Sequence, residues 1–170
     1  MQTVSNQLIK LLEQNPEKTC FVLKHNQIVF TSEQKGVKPM MDYYSSYGSS
    51  TEPLTVVDRI IGKGAIILAI LIGADQVITP IISQVALDFA TKSNIKVKYC
   101  KIVPFIINRT KDGQCPIECS VTHINDIHEG YEAIRKTLLK LNTNKGTADC
   151  VKTNKINKQG DGSFVCIKNI

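Results

Sequence analysis

The chain has 170 residues, of which 42% are hydrophobic and 21% charged, and its formal net charge is +6. These proportions exclude a wholly disordered, collagen-like or coiled-coil polypeptide and describe one globular core. Half of the net charge lies after residue 142, where Lys145, Lys152, Lys155, Lys158 and Lys168 outnumber Asp149 and Asp161. The body is therefore only mildly basic, and no helix-turn-helix, zinc-finger or RNA-binding signature makes nucleic acid an expected partner.

The opening residues lack the basic flank and apolar stretch of a secretory signal, and Glu13 and Glu17 argue against a transit peptide, so a cytoplasmic location is expected. Val4, Leu8 and Leu11 recur at helical spacing until Pro16, which predicts an amphipathic first helix. Thr19–Lys24 and Gln27–Ser32 are β-rich runs joined by His25-Asn26, the pattern of a tight hairpin. Pro39 suits the first turn of a short helix through Met40, Met41 and Tyr44, and Ser45–Pro53 reads as a loop. Ile60–Ile72 is apolar except for Gly62, Lys63 and Gly64, too short to span a membrane, and predicts a helix buried on all sides. Gln76–Thr79 is a strand ended by Pro80, Ile82 to Phe89 a helix, and Ile95–Cys100 a further strand. After a long connection, Pro116 fits the first position of a helix with Cys115 as its N-cap, and Glu129–Leu141 forms the last amphipathic helix.

Helices alternating with strands after a hairpin give an α/β class, with a mixed central sheet, parallel pairing of the later strands and helices on both faces, a three-layer α/β/α sandwich. Residues 1–142 form the domain, and 143–170, rich in Asn, Lys and Gly, read as a flexible basic extension. Ligands in such sheets bind beyond the carboxyl ends of the strands, where helix N-termini converge.

Two helix starts could carry chemistry, Asp58 to Ala65 and Gly113 to Glu118. Gly62 and Gly64 beside Lys63 would let an anion approach the backbone and meet an ammonium; equally, they would let helices pack closely while Lys63 reaches solvent. Cys115 at a helix N-terminus feels the positive end of the dipole, which favours thiolate. Glu118 could cap that helix, ligate a metal or act as acid/base. Cys115, Cys119 and His123 share one helical face, yet Cys-x₃-Cys without a second chelating pair is a weak zinc pattern; Cys150 and Cys166 would have to supply more thiolates. Without a secretion signal the six cysteines are expected to be reduced, with Cys20 and Cys100 as small buried hydrophobes.

Taken in order, Gly36-Val37-Lys38-Pro39, Asp58 with Gly62-Lys63, Val103-Pro104, Asn108-Arg109 and Gly113-Gln114-Cys115-Pro116-Ile117-Glu118 resemble the prokaryote-rich family known as domain of unknown function 1893, over about Ser5 to Leu141. Gly64 stands where that family tends to have Ala, and Ile117 where it often has Met. The resemblance implies the fold of the cytidine deaminase superfamily. Zinc deaminases pair His-x-Glu or Cys-x-Glu at one helix start with Pro-Cys-x-x-Cys at the next; here Asp58, Gly62 and Lys63 occupy the first start, and Cys115-Pro116-Ile117-Glu118 the second. The implied protein has a rebuilt cleft without the zinc set and without another cofactor. It is lined by Asp58, Gly62, Lys63, Gly64, Asn108, Arg109, Cys115 and Glu118 and takes a small anionic, nucleotide-like ligand, with Cys115 as nucleophile and Asp58, Lys63 and Glu118 beside it. The alternatives are a metal-dependent amine or amide hydrolase using Asp58, Cys115 and Glu118, and a non-catalytic small-molecule-binding module. Neither a membrane nor nucleic acid is an expected partner, and self-association into a homo-oligomer stays open.

Overall fold

The computed structural model describes residues 2–143, so the expected extension and Cys150 and Cys166 lie outside the described residues. The elements run α1 (Gln2–Gln14), β1 (Cys20–Lys24), β2 (Gln27–Ser32), α2 (Lys38–Tyr47), β3 (Leu54–Asp58), β4 (Ile60–Ile61), α3 (Lys63–Leu71), β5 (Ala74–Ser83), α4 (Gln84–Lys92), β6 (Lys96–Val103), α5 (Pro116–Val121) and α6 (Ile127–Thr143).

The class is α/β with one six-stranded mixed sheet. β1 pairs antiparallel with β2 and β3, while β3, β4 and β6 all run parallel to β5. β3 and β4 lie along the same side of β5, meeting it at Leu54–Val57 and Ile60–Ile61 respectively, with β6 on the other side. The crossover helices α3 and α4 join parallel neighbours, as short αβ connections require.

One face of the sheet carries the main core. Val22, Val56 and Val77 point from the strands into α3, whose Ile66, Ile67, Leu68 and Ala69 are fully buried, with α4, α5 and α6 closing around it. The expected all-round apolar helix is α3, and no helix among the described residues is long and apolar enough to cross a membrane. Gly130 of α6 lets that helix approach α3: a Cβ there would stand 2.8 Å from Ile67 Cδ1. The opposite face is covered by α1, whose Leu8, Ile9, Leu11 and Leu12 pack on Phe21, Leu23, Val57 and Ile78.

Four sequence expectations are corrected. Ser45–Tyr47, expected in the loop, extend α2, and the loop then leads into the central strand Leu54–Asp58, to which the sequence assigns no element. Ile60–Ile61 pair with β5 as β4, so α3 begins only at Lys63. β5 runs through Pro80 to Ser83 because the missing proline N–H falls between the residues that β3 reaches, up to Ile78, and those that β4 takes up from Ile81. Cys100, expected in the interior, lies exposed on edge strand β6.

Candidate functional site

Beyond the carboxyl ends of β4, β5 and β6, the starts of α3 and α5 meet at Glu118, which is only 1% exposed. Its Oε1 accepts the backbone N–H of Lys63 at 3.3 Å and the Ser83 hydroxyl, and its Oε2 accepts the N–H of Ile106 at 2.8 Å. A carboxylate has two oxygens and no donor, which suits a site presenting three donors from three separate segments. Ser83 also caps α4, accepting the N–H of Ala86 at 3.2 Å. One buried anion thus joins the first turn of α3, the α4 N-cap and the connection after β6.

The glycines of this region answer to the same packing. A Cβ at Gly62 would stand 3.0 Å from Glu118 Oε1 and 3.2 Å from Ile106 Cγ1. A Cβ at Gly64 would stand 2.7 Å from the branched Cγ2 of Ile117. Neither glycine has a positive φ, so close approach decides both positions.

Lys63 does not reach solvent. It is 3% exposed, its Nζ donates to Thr122 O at 2.8 Å, and the ammonium lies 4.9 Å above the centroid of the Phe89 ring. Burial and then the nearby Lys92 hold its pKa below the ordinary lysine value. The interaction is reciprocal. The Glu118 carboxylate takes an N–H at the start of α3, while the Lys63 ammonium takes a carbonyl at the end of α5, each charge matching the dipole end it meets.

Asp58 belongs to a different neighbourhood. It ends β3 opposite Cys20 of β1, and its Oδ1 accepts the N–H of Ile60 at 3.2 Å. Burial pushes its carboxyl up to about 7, against the lowering effect of its hydrogen bonds and of Arg59, and the buried Cys20 thiol beside it is pushed well up by the same burial. Arg59 turns away to α1: its Nη2 donates to Leu12 O at 2.7 Å, Asn15 O at 3.0 Å and Pro16 O at 3.2 Å, and its Nε donates to Lys18 O at 2.9 Å.

Asn108 and Arg109 lie in the loop before α5. Asn108 Nδ2 donates to Asp112 Oδ1 at 2.7 Å and Thr110 donates to the same oxygen, which holds the Asp112 carboxyl below its usual value. Asn108 therefore shapes the loop. Arg109 is exposed and makes no ion pair or hydrogen bond among the described residues; its Nη2 would lie 3.7 Å from a Cβ at Gly36. Gly36, with φ +67, leads into α2, whose N-cap Val37 offers no side-chain acceptor to the first-turn amides.

Cys115 is the α5 N-cap, a free, half-buried thiol packed against the core, with its N–H donating to Ile106 O at 2.7 Å. Sequence thus singles out residues that the fold divides among three places: Gly62, Lys63, Gly64, Cys115 and Glu118 at the meeting of α3 and α5, Asp58 beside Cys20, and Asn108 with Arg109 at the loop. Ser83 and the Ile106 amide were missed. Ser83 carried the signal of a capping residue three positions before Ala86, but a backbone donor carries none.

A family model for domain of unknown function DUF1893 matches residues 7–138. The chain belongs to the DUF1893 family. Its fold is similar to that of TM1506, a DUF1893 family protein of Thermotoga maritima solved by crystallography, with a TM-score of 0.68 and 21% identity over 82% of this chain and 91% of that one. No curated protein matches.

A deaminase-type zinc, which the resemblance to that superfamily would bring, does not fit the residues present. No three His, Cys, Asp or Glu side chains come together among the described residues, and both Glu118 oxygens already accept hydrogen bonds. The Asp58, Cys115 and Glu118 set of the hydrolase alternative fails the same test.

Proposed function

We propose that this DUF1893 chain is a non-catalytic small-molecule-binding domain of cytidine deaminase-like fold, and that its ligand is a small anion of phosphate or nucleotide type. Support for the fold type is the convergence of the α3 and α5 starts beyond the strand ends, with 3.3 Å between Glu118 Oε1 and the Lys63 amide. Glu118 and Lys63 hold that junction together, so the two groups best suited to proton transfer are committed to structure.

The observation that carries the ligand class is the exposed Arg109 guanidinium, without a partner among the described residues, beside Gly36 and ahead of the uncapped first turn of α2. A planar fork of donors next to a helix start whose Lys38 and Met40 amides, Pro39 having none, take no side-chain cap is the chemistry that takes a phosphate or carboxylate. Lys35 and Lys38 flank Gly36 in sequence and add positive charge to the same approach.

Calorimetric titration with inorganic phosphate and with nucleoside mono- and diphosphates tests the reading on the full chain and on Arg109→Ala. Binding by the wild type that Arg109→Ala loses while its melting temperature stays unchanged is the expected result. No heat with any of these anions, or equal affinity in the variant, refutes it.

A second reading rests on Cys115, a half-buried free thiol at the start of α5 whose sulfur makes no capping bond. As a nucleophile it would have to act without Lys63, whose ammonium is directed to Thr122. An alkylation rate at Cys115 above that of the exposed Cys100 would favour this reading over the binding module.

A further inference from the structure

The two edges of the sheet differ in charge. β6, at one edge, carries Lys96, Lys98 and Lys101 in eight residues, and lysines on an exposed edge repel a second strand. β2, at the other, reads Gln-Ile-Val-Phe-Thr-Ser, with no charge and no proline, and no strand among the described residues lies on its outer side. Its apolar side chains are left bare: Ile28 is 48% exposed and Val29 45%. Ile28, opposite Leu23, lies on the α1 face, while on the other face Tyr47 of α2, 64% exposed, joins an aromatic group in which Phe30 meets Tyr43 at 5.5 Å and Tyr47 at 6.4 Å between ring centroids. Of the ionisable residues nearest in sequence, Glu33 is paired with Lys18, and Lys24 and His25 both lie against Glu52.

We propose that the β2 edge docks a second copy of this chain, through antiparallel pairing of β2 with its two-fold mate and contact of Ile28, Val29 and Tyr47 with the partner's equivalent surface. A strand paired antiparallel about a two-fold axis meets its own sequence in reverse, so several like charges within one short strand are brought close to one another across the axis. The neutral β2 avoids that repulsion, whereas the three lysines of β6 do not. The bulge in β2 limits the pairing: Val22 faces Phe30 and Leu23 faces Ile28, leaving Val29 without a counterpart on β1. Bulges interrupt an edge, so the straight run available to a partner is Phe30–Ser32, and the apolar side chains supply the rest of the contact. A small interface of this kind gives a dimer that dissociates on dilution.

Light scattering and sedimentation across a dilution series, with hydrogen exchange of the 27–32 peptide at both ends of the series, test this on the full chain. The expected result is a doubling of mass with concentration and slower exchange of that peptide in the dimer. Val29→Lys should lose the dimer without a change in melting temperature, and Tyr99→Lys on β6 should keep it. Three results would each overturn the proposal: a wild type that stays monomeric to its solubility limit, a dimer that survives Val29→Lys, or exchange of 27–32 that is equally slow at all concentrations, which would mean that another part of the same chain covers the edge.

Discussion

Replacing Glu118 by Gln separates a structural carboxylate from a catalytic one, because the change keeps shape and removes one acceptor. Three donors point at the Glu118 oxygens, from Lys63, Ser83 and Ile106. A glutamine has one oxygen and a donating NH₂. If its oxygen stays with Lys63 and Ser83, the NH₂ faces the Ile106 N–H; if it turns, the Ser83 hydroxyl can accept from the NH₂ and the Lys63 N–H loses its acceptor. Either arrangement orphans one buried donor and replaces charge-assisted bonds by neutral ones, a cost of about 3 kcal/mol. With a urea slope of about 2 kcal/mol per molar for a chain of this size, the midpoint should fall by about 1.5 M. Glu118→Ala leaves all three donors and a cavity, and should cost about 5 kcal/mol. Equilibrium urea unfolding followed by circular dichroism makes the measurement. Active-site carboxylates are often strained, so their removal tends to stabilise a protein. A Glu118→Gln midpoint equal to or above that of the wild type would therefore refute the structural assignment and return Glu118 to chemistry.

The Asp58 carboxyl, raised to about 7 in the folded chain against about 3.9 unfolded, contributes stability that is complete below pH 4 and lost as the pH rises through 7. Asp58→Asn should therefore gain on the wild type by up to about 4 kcal/mol between pH 4 and 8, and parallel unfolding curves at the two pH values would contradict it. Gly64→Ala should cost about 1–2 kcal/mol because its Cβ meets Ile117 Cγ2, a clash only partly offset by helix propensity. Adding Ile117→Met removes the β-branch and should restore most of that loss; additive costs in the double-mutant cycle would show that the contact is not the cause. Alkylation followed by peptide mass spectrometry should label exposed Cys100 first, half-buried Cys115 next and buried Cys20 last, and Lys63→Ala should leave the Cys115 rate unchanged.

The hairpin was legible because Asn26 accepts a left-handed conformation, and both turn residues have positive φ, 50° at His25 and 63° at Asn26. The α3 helix was legible from its apolar run, but its start was not, since Ile60 and Ile61 look the same whether they continue a helix or add to β5. β3 was hidden for a related reason: Leu54-Thr55-Val56-Val57 is a short buried run with no alternation to mark it. At the site, sequence spacing brought out Gly62, Lys63, Gly64, Cys115 and Glu118, which the fold does place together. It could not show what each touches. Whether Lys63 meets a ligand or the end of α5 depends on where α5 stops, and whether Glu118 is free depends on the amide of Ile106, twelve positions away along a loop.

Arg59 bears on the order in which the chain assembles. The carbonyls it gathers belong to residues 41 to 47 positions earlier, so α1 has no fixed seat until the β3–β4 corner exists. Its docking is therefore a late step, and by the same coupling an early one to be undone under stress. When α1 lifts, Phe21, Leu23, Val57 and Ile78 lose their cover together, which turns a local opening into an adhesive sheet surface. Protease cleavage near Pro16 is accordingly the first damage to expect in a chain losing its fold, and precipitation the second.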